Sequence, residues 1–147
     1  MHHPPSDGPR LLRFATAAVD VHHHTSLPDQ LPASRIELDA LHAHCVGLFW
    51  LLDTHTTATR PHQPAEAEQL HAARIRLWQT ADSLHAAYHR APRADGRAPT
   101  REACALRLPE GAPDLAICQR HTLASARMRR ISTPAELRGA PASSFRA

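Results

Sequence analysis

Cys104, Cys118 and His121 are the residues of this chain best suited by type to hold a metal ion. Thiolate sulfur and imidazole nitrogen are natural zinc ligands, and a Cys and a His three residues apart on a helix can share one ion. Cys118 and His121 stand at that spacing, and His85 or His89 could complete the set. The sequence carries no CxxC knuckle, however. The expectation is therefore that no cofactor binds, with zinc as the alternative. Cys118 then packs as a small hydrophobe and His121 makes one satisfied hydrogen bond.

A second chemistry is phosphate binding. Arg120, Arg127 and Arg130 fall on one broad helical face, with Arg129 nearby, opposite a stripe of Ile117, Cys118, His121, Ala124 and Met128. Arginine pairs well with phosphates, so the face is a candidate nucleic-acid site. The plainer reading is a solvated surface. A helix-turn-helix needs a tight turn, and Leu108–Asp114 carries two prolines. A third pattern is carboxylate-x-x-His, at Asp39…His42 and Asp82…His85. Di-metal bundles use that motif with both groups pointing inward, whereas here both Asp residues are expected to project outward. No nucleophile–base–orienter set stands out, and 5 glycines leave little room for a phosphate loop. The balance is against an enzyme.

These residues sit on a series of helical repeats. A first helix is expected over residues 10–24. The second opens at Ser34-Arg-Ile-Glu37, a capping box in which each side chain serves the other's backbone amide. Leu38, Leu41, Cys45, Leu48, Leu52 and His55 then form its seam. The third covers residues 65–90. Leu70, Ala73, Leu77, Ala81, Leu84 and Tyr88 form one stripe, and His71, Ile75, Trp78, His85 and His89 a second, so it should touch two neighbours. Leu41, Leu48, Leu77 and Leu84 are expected to be buried and to face one another. A short helix is expected at 100–108 and a long one at 114–130. Thr133-Pro134-Ala135-Glu136 starts a short terminal helix at 134–138, with a cap, Pro at N1 and Glu at N3.

Length and composition agree. A chain of 147 residues with 42% hydrophobic and only 4% aromatic side chains can bury a core of Leu, Ala, Val and Ile, which suits close-packed helices. The net charge of +3 permits a nucleic-acid partner without requiring one. Lys and Asn are both missing, as high genomic G+C would produce, so the arginines alone say little about phosphate. Three cysteines are no disulfide framework. No apolar run approaches the ~20 residues that span a bilayer, and no secretory signal is visible. A cytoplasmic setting is the expectation.

The stretches LDALHAH, RIRLWQTADSLHAAYHRAP, PTREAC and LPEGAPDLAICQRH resemble a family of small helical proteins from high-G+C bacteria. The resemblance spans Leu11 to Leu137. It implies a single helical domain, and with no activity assigned to that family it carries over no site residue. The sequence thus reads as an all-α, antiparallel four-helix domain over residues 10–138, between disordered tails at 1–9 and 139–147. Its expected role is a non-catalytic interaction module that meets an unknown protein partner or a second copy of itself, with no membrane. Arg-dependent nucleic-acid binding and a Cys/His zinc site are the alternatives.

Overall fold

The structure is a computed structural model that describes residues 8–24, 32–92 and 116–138. Among these residues 87% are helical, in five α-helices, and no strand forms. The helices are α1 (Gly8–His24), α2 (Arg35–Thr59), α3 (Pro64–Arg90), α4 (Ile117–Ile131) and α5 (Pro134–Leu137). The all-α expectation therefore holds. The helix expected at 100–108 lies outside the described residues. The chain divides into two compact units, residues 1–32 and 33–147. The first unit contains α1, which starts two residues earlier than expected.

In the second unit, local chemistry sets the helix ends. The Glu37 amide donates to Ser34 Oγ at 3.2 Å, and the Ser34 amide donates to Glu37 Oε2 at 2.6 Å. The same reciprocal pair recurs at Thr133 and Glu136. Both were readable because a capping box spans only four residues. Between α2 and α3 the chain turns through residues 60–63, and Pro64 opens α3 where a missing amide is harmless. So short a connection makes α2 and α3 antiparallel neighbours.

Cross-helix contacts fix the remaining directions. Arg120 and Arg127 of α4 meet Asp39 and Asp53 of α2 in that order, so α4 runs parallel to α2. Cys118 and Ser125 meet His85 and Trp78 of α3, so α4 runs antiparallel to α3. As expected, α3 packs against two long neighbours, here α2 and α4, and it also meets the short α5.

Along this three-helix core, apolar and polar layers alternate. Leu38, Tyr88 and Ile117 form one apolar layer, with the Arg35 guanidinium 4.2 Å from the Tyr88 ring centre. A polar layer of Asp39, His42, His85, Cys118, Arg120 and His121 follows. Val46, Phe49, Ala81, Ala124 and Met128 make the main apolar layer. Beyond it, Asp53, Arg74 and Arg127 form a second polar layer.

One expected seam is displaced. On α2 the buried residues are Leu38, Asp39, His42, Val46, Phe49 and Thr56. Leu41 is 44% exposed, and Leu48, Leu77 and Leu84 are only half-buried. The helix is turned by about one residue, or ~100°, from the expected register. Residues 45–52 are apolar on nearly every side, so periodicity cannot choose between two adjacent stripes. The choice falls to the polar groups of α4, because Arg120 and His121 need Asp39 and His42 opposite them.

Candidate metal centre

The polar layer near Cys118 contains two linked arrangements. The first is a chain of hydrogen bonds whose direction is fixed by its ends. Arg120 can only donate, and its Nη1 lies 2.8 Å from His42 Nδ1. That nitrogen must accept, so the His42 proton sits on Nε2. His42 Nε2 lies 3.1 Å from His121 Nδ1 and donates to it. His121 therefore carries its proton on Nε2, which donates to Asp82 Oδ1 at 2.9 Å. Arg120 also binds the Asp39 carboxylate, and its Nη1 reaches the Asp39 carbonyl at 3.2 Å. Burial, the Arg120 charge and the neighbouring His121 and His85 push the His42 pKa from 6.5 down to about 3.

His121 is clamped between flat neighbours. The His85 ring stacks on it at 4.5 Å, and the Trp78 indole lies near-parallel at 6.1 Å. Trp78 is held in turn by Ser125, whose Oγ accepts from its Nε1 at 3.0 Å.

The second arrangement is a triangle of metal-ligating atoms. His85 and His89 stand one turn apart on α3, and Cys118 comes from the first turn of α4. His85 Nε2 lies 2.9 Å from His89 Nε2 and 3.3 Å from Cys118 Sγ, while His89 Nε2 lies 3.6 Å from that sulfur. A tetrahedral zinc ion with its usual bond lengths sets such edges at about 3.3 Å for N···N and about 3.5 Å for N···S. The triangle is within a few tenths of an ångström of one face of that tetrahedron. All three residues are half-buried, and no further carboxylate, Cys or His among the described residues joins them. Burial lowers the His85 pKa from 6.5 to about 4, with His121 and His89 adding repulsion, and burial lowers that of His89 as well. Both rings are thus neutral near pH 7, the form that binds a metal.

The sequence-derived residues are therefore redistributed. Cys118 belongs to the triangle, but with His85 and His89. His121 is turned to His42 and Asp82, and both its nitrogens are engaged. Cys104 lies outside the described residues. The signal for the triangle was present: His85 and His89 form a His-x-x-x-His pair, the spacing that puts two imidazoles on one helical face.

The arginines separate too. Arg120 was expected on a solvated face, but it is 7% exposed and buried against α2. Arg127 is partly buried and holds Asp53 through Nε, at 3.1 Å from each carboxylate oxygen. Arg129 and Arg130 are exposed. Asp39, expected to point outward, is 5% exposed because it pairs with Arg120. Asp82 is exposed as expected. The two Asp-x-x-His segments thus both meet α4, Asp39 gripping Arg120 and Asp82 gripping His121.

Fold and site together define a small all-α protein with a His₂Cys cluster between two antiparallel helices. The family of unknown function DUF6238 has a model that matches residues 1–146, and the chain belongs to that family. No curated protein and no solved structure matches it. Among the described residues, no helix is long and apolar enough to cross a membrane.

Proposed function

We propose that this protein is a metal-binding helical module in which His85, His89 and Cys118 hold one zinc ion. The observation that carries the reading is the triangle of Nε2, Nε2 and Sγ, whose edges match a zinc coordination face. Two helices supply the ligands, so the ion would pin the end of α3 to the start of α4. Three ligands come from the described residues, and the fourth position of the ion would go to a further residue of the chain, to water or to a donor from another molecule. An interaction role is compatible with this, the ion being the point of contact.

In the metal-free protein, one of the two facing Nε2 atoms must carry the proton the other accepts. Metal binding needs both lone pairs, so both rings must then hold their protons on Nδ1. Cys118 must give up its thiol proton.

The test is elemental analysis of untagged protein, followed by cobalt substitution. One zinc per chain is expected, with a sulfur-to-cobalt charge-transfer band that disappears in Cys118→Ser and weakens in His89→Ala. His121→Gln should keep the metal. Absence of stoichiometric metal, or a cobalt spectrum unchanged in Cys118→Ser, overturns the reading. Loss of metal in His121→Gln with retention in His89→Ala would instead restore the Cys118/His121 pairing.

A further inference from the structure

Away from the metal centre, residues from α2, α3, α4 and the turn after α2 enclose a cleft of about 470 Å³. Arg60, Arg74 and Arg127 contribute to its wall, together with Thr56, Pro61 and Ile131. Asp53 is the acid that Arg74 and Arg127 share. Arg74 Nη1 donates to Asp53 Oδ1 at 2.5 Å, and Arg127 Nε straddles both Asp53 oxygens. One carboxylate against two guanidiniums leaves a unit of positive charge. Arg60 pairs with Glu68 at 2.7 Å at the exposed rim, which adds donors without net charge.

The donors that remain point to a ligand. Arg74 is 3% exposed, with Nη1 on Asp53 and Nη2 at 2.6 Å from His71 Nδ1, so it contributes buried positive charge at the wall. Among the described residues, Arg127 spends only Nε, on Asp53, which leaves its two terminal nitrogens as a fork of the kind that grips oxyanions bidentately. Pro61 and Ile131 supply apolar wall, and the cleft lies within the ~300–1,000 Å³ range of small-molecule sites.

We propose that this cleft binds a small organic phosphate monoester, its phosphate held by Arg127 and Arg60 beside the buried charge of Arg74, and its organic part against Pro61 and Ile131. The inference is independent of the metal centre. The same phosphate chemistry occurs along a nucleic-acid backbone, but there each group is a monoanionic diester on a long polymer. A recess with buried arginine at its wall favours a terminal, doubly charged phosphate.

The experiment is calorimetric titration of the full chain with phenyl phosphate, inorganic phosphate and a single-stranded oligonucleotide, at constant ionic strength. Phenyl phosphate should bind more tightly than inorganic phosphate, because it fills the apolar wall. Arg127→Gln should weaken it by roughly tenfold or more, and exposed Arg60→Gln by several-fold. Arg129→Gln, on the exposed side of the same helix, should leave it unchanged. Circular dichroism confirms that each variant is folded. Equal affinity in wild type, Arg127→Gln and Arg60→Gln overturns the site, as does absence of binding by either phosphate compound. An oligonucleotide that displaces phenyl phosphate and binds more tightly per phosphate overturns the monoester assignment in favour of a backbone contact.

Discussion

Replacing Arg120 by Met removes a charge that the sequence places on a solvated face and the structure places inside the core. Its Nη2 holds the Asp39 carboxylate, and its Nη1 serves the Asp39 carbonyl and His42 Nδ1. Asp39 is 5% exposed, so water cannot replace the lost partner without opening the interface between α2 and α4. Breaking a buried ion pair on one side costs about 3–5 kcal/mol, chiefly because the other charge is stranded. A surface arginine would cost no more than about 0.5 kcal/mol. With total stabilities of about 5–15 kcal/mol, the first figure removes a large share of the folded state's margin. The assay is urea unfolding at pH 7, followed by helical circular dichroism. Asp39→Leu combined with Arg120→Met should be less damaging than the sum of the two single changes, because no charge is left buried. An Arg120→Met protein within about 0.5 kcal/mol of wild type, or strict additivity in the pair, would refute the buried network.

Two further outcomes follow from the same geometry. Phe49→Ala should cost about 3–5 kcal/mol, whereas Leu41→Ala should cost less than about 1 kcal/mol. The reverse order in thermal melts would restore the register expected from the sequence. Acid should destabilise the fold through His42, which faces Arg120 and His121 from α4 and His85 from α3. An unfolded imidazole takes its proton near 6.5, while the folded one resists until about 3, so the unfolded state binds more protons in between. This contribution to stability is complete above pH 6.5 and falls as pH drops toward 3, by up to about 1.4 kcal/mol per pH unit. His42→Gln should flatten the stability profile between pH 6 and 5, and a slope equal to that of wild type counts against the buried, neutral ring.

What the sequence made legible follows the range of each interaction. The capping boxes at Ser34 and Thr133 involve residues three apart, and both formed as read. The two stripes of α3 were visible because its polar residues separate them, and each stripe found a neighbour. On α2 the same method chose Leu41 over His42, since apolarity was its only guide and Cys45 to Leu52 offers apolar residues on nearly every side. Asp39 and His42 are buried by partners on α4, about eighty positions along the chain, and no local period carries that information. The candidate metal set was half legible for the same reason. The turn spacing of Cys118 and His121 suggested a pair, but the His42 ring across the interface claims His121. The His-x-x-x-His pair on α3 is what meets Cys118.

The direction of α4 has a consequence for the connection that precedes it. His89 and Cys118 lie side by side, so α3 ends where α4 begins. About 26 residues join two points that a link of roughly 2–8 residues would connect in a helical bundle. The connection is therefore several times longer than the join between α3 and α4 requires.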